Sequence, residues 1–334
     1  MASSYSNLHP VDEILSNLAI EAVQGDNAFI ADRVFETVAI PERSGTLLIE
    51  NNRNFTGAGA GLDNQRAPGA DRQLLSGFDR SNTTFKADIY SWRDGIAMED
   101  IFDSQYPGSE EQRMVRKVAR AMQISREKRC ADLLFNSSEF QTSACTALQT
   151  GTKWDATGAN PLTDLHALKD TVFDNSGGMA ADSLILGRGV FRTLARNPEI
   201  RGYVGSTTAG LASGQLILSN EAVLEVLRSV LGIPNVYVAN AINDSAPAGA
   251  TSSEAQIWNT EQVFMGILRG GDALVNRNGV KMGPMAAINF RYGAMQAGAY
   301  DNEQKTRRYV WSEEIETFKK IDSTFGFVVT DCLG

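Results

Sequence analysis

The chain contains 334 residues, of which 43% are hydrophobic and 21% charged, and these proportions exclude wholesale disorder and leave room for two domains. The formal net charge of −9 excludes a protein that binds nucleic acid over its whole surface, but it is compatible with local basic patches. No apolar run reaches the ~18 residues that a membrane-spanning helix needs. The N-terminal residues also lack the basic start and apolar stretch of a signal peptide, so we expect the protein to assemble where it is made.

Residues 1–45 are predicted to form an N-terminal arm, which leads into a polar, glycine-rich stretch at residues 51–82. Strand-like segments at residues 46–49 and 84–90 flank this stretch and predict a projecting two-stranded hairpin. Loops of about 30 residues are uncommon in compact domains and are usually functional or ordered by a partner. We expect the loop to lie on another surface through Phe55, Leu62, Arg66, Leu74, Leu75 and Phe78.

A long helix is predicted at residues 109–135, with Ser109 and Gln112 matching a capping box at its start. Met114, Val118 and Met122 fall on one side of this helix at ~100° per residue. The opposite side carries four basic residues, which are Arg113, Arg116, Lys117 and Arg120. This basic face is either a solvated helix flank or a contact with an acidic neighbouring chain or with packaged nucleic acid.

From residue 160 the pattern changes to alternating helices and strands. Helices are predicted after Pro161, after Gly189 and after Ser219, and strands at residues 183–186 and 236–238. The last segments, residues 307–321 and 324–333, predict a hairpin that pairs with the strand at residues 85–90. The chain is therefore expected to leave one domain, build a second and return.

The sequence contains no convincing catalytic or metal-binding motif. The three cysteines, Cys130, Cys145 and Cys332, lack a metal-like spacing and are expected to be buried, reduced thiols. The two histidines, His9 and His166, do not form a nucleophile–base pair or a zinc site with them. The glycine-rich residues 57–61 resemble a dinucleotide-binding turn, but no helix pattern follows them, so we interpret them as a flexible loop. We expect no catalytic residue, no metal and no cofactor.

The order of these segments resembles the major capsid proteins of tailed bacteriophages, the Hong Kong ninety-seven type fold. The resemblance covers nearly the whole chain and lies in the long loop, the strand TTFKADIYSWRDGIAMEDI and the helix starting SEEQRMVRKVARAM. It continues through KWDATGANPLTDLHALKD and DSLILGRGVFRTLARNPEIRGYV to the closing IETFKKIDSTFGFVVTDCLG.

This resemblance implies an α+β capsid fold divided along the chain. It implies an N-terminal arm at 1–45, an extended loop at 46–84, a peripheral domain at 85–160 with a spine helix at 109–135, an axial domain at 161–300, and return strands of the peripheral domain at 301–334. The extended loop is then expected to lie over a neighbouring subunit and the spine helix along the inner side.

The function implied is that of an icosahedral shell built from hexamers and pentamers around a double-stranded DNA genome, assembled in the host cytoplasm and found in the virion. The implied partners are other copies of the chain, a separate scaffolding protein, a portal, a decoration protein and DNA contacted without sequence specificity. No membrane contact is implied.

Two departures from the family pattern modify these expectations. Some members join subunits covalently through a lysine on the extended loop, whereas the first lysine here is Lys86, so we expect no such cross-link. Some members also carry a long N-terminal scaffolding segment, and the roughly 50 residues from Met1 to the loop are too few for one.

Two alternatives remain open from the sequence. An encapsulin-type compartment has the same fold but holds a cargo peptide and no genome. An α/β enzyme that binds a phosphorylated ligand through its glycine-rich loops belongs to a different class of protein.

Overall fold

The computed structural model describes residues 28–50, 65–69, 71, 80–103, 107–207, 219–246, 250–269, 274–275, 281–282 and 284–334. The α-helices are α1 (Ala31–Val34), α2 (Met98–Asp103), α3 (Pro107–Leu134), α4 (Pro161–Asn175), α5 (Arg188–Arg196), α6 (Pro198–Thr207) and α7 (Asn220–Leu231). The strands of the N-terminal part are β1 (Thr37–Ala39), β2 (Ser44–Glu50), β3 (Arg80–Lys86), β4 (Asp88–Ala97) and β5 (Gln141–Ala144).

The remaining strands follow the long helix α3 and alternate with the shorter helices. They are β6 (Ser183–Gly187), β7 (Asn235–Ala239), β8 (Ile242–Asp244), β9 (Glu254–Gln256), β10 (Val263–Gly266), β11 (Leu274–Val275), β12 (Lys281–Met282), β13 (Ala287–Arg291), β14 (Gln296–Asn302), β15 (Arg307–Lys320) and β16 (Gly326–Thr330). The predicted mixed α+β class is therefore confirmed, and the glycine-rich residues 57–61 lie outside the described residues.

The first of two main sheets is built around β15, the longest strand. β4 pairs antiparallel with β15 along one edge, and β14 and β13 pair with the two halves of its other edge. β1 adds to β13 in parallel. The predicted pairing of the segment at 85–90 with the C-terminal region is confirmed, because Tyr90 is opposite Glu314 and Ile89 is opposite Ile315.

Helix α3, the spine helix, packs across this sheet and has 28 residues, so it is about 42 Å long. Its apolar side, which includes Met114, Val115 and Met122, is buried against Val310 of β15 and Ala297 of β14. The predicted N-cap at Ser109 is wrong, because the helix begins two residues earlier at Pro107. A proline fits the first turn of a helix, where its missing N–H has no intrahelical partner.

The second sheet has the strand order β5-β16-β10-β6-β7, and helices α4, α5 and α7 supply much of the core packed against it. Local signals set its helix ends, and helices α4 and α7 begin where they were predicted. Pro161 lies in the first turn of α4, the Ser219 side chain accepts a hydrogen bond from Ala222 N at 3.2 Å, and Gly232 ends α7 in the left-handed conformation with φ 65°.

The predicted C-terminal hairpin is wrong, because β15 and β16 belong to different sheets. β4 pairs with Arg307–Glu316 of β15 along one edge, and β14 and β13 pair along the other. β16 pairs instead with β10 and β5 inside the second sheet, where Val328 and Val329 are buried. A short apolar strand of this kind suits a position between two partners.

The two sheets share a hydrophobic core. One buried cluster joins Phe35 of the N-terminal segment, Leu134 of the spine helix, and Ile185 and Phe264 of the second sheet. Among the described residues, no helix is long and apolar enough to cross a membrane.

Candidate assembly surfaces

The extended hairpin begins as a stem that the rest of the chain holds in place. β2 and β3 pair antiparallel over seven residues, from Ser44 opposite Lys86 to Glu50 opposite Arg80. At its base the Phe85 ring stacks on Phe290 of the first sheet at 4.7 Å between ring centroids. Leu47 is buried in the same cluster as Phe290. The stem therefore sets where the loop leaves the body of the subunit.

The residues predicted to contact a neighbour from this loop lie almost wholly beyond the stem. Phe55, Leu62, Leu74, Leu75 and Phe78 are outside the described residues, and their predicted role stays a prediction. Arg66 is described and its side chain is exposed.

Residues 28–40, which we name the strap, belong to the predicted arm at residues 1–45, of which residues 28–45 are described. The strap contains α1 and β1, and it buries Ile30, Val34 and Phe35 against the body of the subunit. Tyr237 Oη donates a hydrogen bond to the carbonyl oxygen of Arg33 at 2.7 Å, which adds a contact with the second sheet. The strap thus touches the spine helix and both sheets.

A buried charge network fixes the strap to the spine helix and to β15. Arg126 is only 4% exposed and pairs with Asp32 of the strap at 2.7 Å, with Glu316 at 3.3 Å and with Glu314. Arg129 pairs with Glu314 at 2.8 Å and with Glu316 at 2.6 Å. Both glutamates are almost completely buried, so their charges depend on these arginines.

Arg291 of β13 extends the network, pairing with Asp32 at 3.2 Å and with Glu316 at 3.3 Å. Burial tends to raise the pKa of Glu316. The charges of Arg126 and Arg291, together with the hydrogen bond from Arg129, outweigh that effect, so the pKa of Glu316 is lowered. The carboxylate is therefore held in its charged form inside the subunit.

Glu127 forms a second buried contact with the strap. Its carboxylate accepts hydrogen bonds from Ile30 N at 3.1 Å and from Ala31 N at 2.9 Å, and Trp258 Nε1 donates to it at 2.6 Å. Burial raises the pKa of Glu127, although these three hydrogen bonds oppose the shift. The carboxylate satisfies the first free N–H groups of α1 and anchors the start of the strap.

The four predicted basic residues do share the solvent side of the spine helix, and all four are exposed. Arg113 pairs with Glu110 of the same helix at 3.0 Å, Lys117 pairs with Asp94 of β4 at 2.7 Å, and the Arg120 guanidinium lies 4.5 Å from the centre of the Phe29 ring. Arg116 makes no hydrogen bond or ion pair with the described residues. Whether this basic face meets a neighbouring subunit or DNA stays a prediction.

The thiols lie away from solvent. Cys130, Cys145 and Cys332 are free and buried, which confirms the prediction of buried, reduced thiols. Burial, followed by the charges of Glu127, Glu316 and Asp32, raises the pKa of Cys130 and suppresses its reactive thiolate form. In the part of the chain that the structure describes, no group of three or more His, Cys, Asp or Glu is placed to hold a metal ion.

Comparison with known proteins agrees with this arrangement. Residues 131–239 match the sequence model of the family described as phage major capsid protein E. Over these residues the chain is similar to the phage major capsid proteins. The major capsid protein of Burkholderia phage BcepMu is 22% identical to it over 268 residues, which is 80% of each chain.

Two solved structures share the fold of this capsid protein over most of its length. A phage-related protein from Bordetella bronchiseptica is 17% identical, with a TM-score of 0.67 over 97% of this chain and 98% of that one. The subunit of the mature capsid of bacteriophage PhiM1 is 12% identical, with a TM-score of 0.52 over 89% and 86% of the two chains. The fold is thus the Hong Kong ninety-seven type expected from the order of segments.

The family match and the capsid-protein relative agree on the general function. The chain forms the shell of a phage, is located in the virion and associates with copies of itself into capsomers. It is a structural protein and not an enzyme, so the alternative of an α/β enzyme with a phosphorylated ligand is wrong.

The buried charge network of this capsid protein was not found from the sequence. One signal was present in β15, where Glu314 and Glu316 stand at the alternate positions shared with the buried Val310. A charged residue on the buried side of an alternating strand requires a partner of opposite charge. Arg126 supplies that charge near the middle of the spine helix.

Proposed function

We propose that this capsid protein assembles as hexamers and pentamers into a closed icosahedral shell around a double-stranded DNA genome. The observation that supports this most is the stem β2–β3, which is paired over seven residues and packed at its base by Phe85. A polar, glycine-rich loop of about 30 residues is usually functional or ordered by a partner. In a shell, the natural partner of that loop is the neighbouring subunit.

Association is proposed to rest on apolar anchors of the loop, among them Phe55, Leu74 and Phe78, with polar residues such as Arg66 at the margin. A fully buried Leu or Phe side chain contributes about 1.5–3 kcal/mol. A few such anchors in each contact are enough to stabilise the shell, because every contact is repeated over the closed particle.

The strap and the spine helix are proposed to keep the subunit rigid while it assembles. Arg126 and Glu127 join the strap to the body through buried contacts, so the arm leaves the subunit from a fixed point. We also expect a separate scaffolding protein, a portal and a decoration protein as further partners, and DNA held without base-specific contacts.

The test is to produce the chain alone, separate the products by sedimentation, and examine them by negative-stain electron microscopy. Closed particles are expected, and a protein that stays monomeric at every concentration would contradict the shell proposal. Particles purified from a phage lysate should hold nuclease-protected double-stranded DNA. Particles that instead retain a protein cargo and no genome would establish the encapsulin-type alternative.

A further inference from the structure

Helix α2 exposes an aromatic side chain in an acidic setting. The Phe102 side chain is 81% exposed, the highest value among the exposed large hydrophobic residues of the described chain. Glu99, Asp100 and Asp103 of the same short helix are also exposed. None of these three carboxylates forms an ion pair with the described residues. Exposure of an apolar phenylalanine ring to water is unfavourable. An exposed phenylalanine with charged neighbours is therefore typical of a contact with another molecule.

The same chain carries a surface of opposite charge close by. The basic face of the spine helix begins at Arg113, ten residues beyond the end of α2. Arg113 and Lys117 reach only the nearby Glu110 and Asp94, and Arg116 has no partner among the described residues. The acidic helix therefore does not neutralise the basic face within one subunit, although α2 directly precedes the spine helix.

We propose that Phe102 and the acidic residues around it dock onto the basic face of the spine helix of a neighbouring copy. This inference rests on the proposed function and names one of its subunit contacts. Phe102 supplies the buried anchor, and the charges of Asp100 and Asp103 against Arg113 and Arg116 fix the register. Because every copy carries both surfaces, the contact repeats around a closed ring or reciprocally across a two-fold axis.

A charge exchange tests this contact in the full chain, produced alone so that no genome is present. One variant carries Asp100→Lys and Asp103→Lys, a second carries Arg113→Glu and Arg116→Glu, and a third carries all four changes and so keeps the wild-type net charge. Each pair alone should lower the yield of closed particles at least about tenfold, since like charges then face each other. The four changes together should restore the yield.

The aromatic anchor is tested by two substitutions at one position. Phe102→Ser should lower the particle yield, and Phe102→Leu, which keeps an apolar side chain, should retain most of it. Thermal melting of the unassembled subunit serves as the folding control and should stay close to the wild-type value, because Phe102 is exposed. Wild-type yields from both charge pairs, or a fourfold variant as poor as either pair, would overturn the proposal.

Photo-cross-linking gives a reading that does not depend on closed shells. With p-benzoylphenylalanine at position 102, the cross-linked dimer should contain the peptide around Arg116 of a second copy, and any other site of attachment rejects the contact. If the wild-type chain forms no particles, the shell proposal fails, and the cross-link still decides whether the two surfaces meet. If the Arg113 and Arg116 reversal leaves the yield of genome-free particles unchanged and lowers only the DNA content of particles from a phage lysate, the basic face serves nucleic acid and the proposal is wrong.

Discussion

Replacing Arg126 with methionine should destabilise the subunit strongly. Arg126 is 4% exposed and holds three carboxylates, of which Glu314 and Glu316 are almost completely buried. Removing one member of a buried ion pair costs about 3–5 kcal/mol, because the remaining charge is left without compensation. Arg129 and Arg291 still pair with Glu316 at 2.6 and 3.3 Å. We therefore expect the free energy of unfolding to fall by an amount near the lower end of that range.

The matched control is Arg116→Met, the same substitution in the same helix at an exposed position without a partner among the described residues. Exposed ion pairs contribute about 0–1 kcal/mol, and Arg116 lacks even one, so this control should leave the free energy of unfolding almost unchanged. A further variant, Arg126→Met with Glu316→Gln, should recover part of the loss because one uncompensated charge is removed.

The measurement is urea-induced unfolding of the unassembled subunit, followed by tryptophan fluorescence. The signal should report on the network, because Trp258 donates a hydrogen bond to Glu127 beside the strap. A loss of about 3 kcal/mol is a large part of the 5–15 kcal/mol typical of a folded protein. If Arg126→Met and Arg116→Met unfold at the same urea concentration, the network does not anchor the strap.

Three further outcomes are expected. The first concerns acid unfolding. Because the pKa of Glu316 is lowered in the folded subunit, this carboxylate stabilises the fold above its unfolded pKa, and the stabilisation is lost as the pH falls. Arg126→Met removes a cause of the lowered pKa, so the variant should unfold at a higher pH than the wild type. Equal midpoints of acid unfolding would contradict this. The second concerns the thiols: Cys130, Cys145 and Cys332 are all buried, so a thiol reagent should modify almost none of them in the native subunit and all three in guanidinium, and rapid native labelling would show that the core opens. The third concerns the loop: deleting residues 55–78 should leave a folded subunit with an intact stem that forms no shells, and normal shell yield would show that the loop is dispensable.

Local signals in the sequence predicted many of the elements correctly. Pro161 and Ser219 mark helix starts through backbone chemistry that acts over one or two turns, and the structure has helices that begin at those points. The stem of the extended hairpin was predicted for a similar reason, because two short strands flank a stretch with no apolar period.

Errors arose where the outcome depended on distant parts of the chain. The apolar segment of β16 shows that it is a strand but not which strands pair with it. Its partners β10 and β5 lie about 60 and 190 residues away along the chain, respectively. The Ser109 capping box was outcompeted by Pro107, which also fits the first turn.

The charge network was missed for the same physical reason. Arg126 meets Asp32 across 94 residues and Glu316 across 190 residues, and no local pattern links such positions. Helical period alone places Arg113 and Arg116 on one side of the spine helix, and both side chains are exposed. What that face contacts depends on a second molecule, which the period of one helix does not specify.

The most direct test of shell formation is a cryo-electron microscopy reconstruction of particles formed by the full chain. The density should show a closed icosahedral shell in which the loop beyond the stem β2–β3 of one subunit lies over the body of the next. Particles in which each loop folds back on its own subunit, or open aggregates without icosahedral symmetry, would contradict the account.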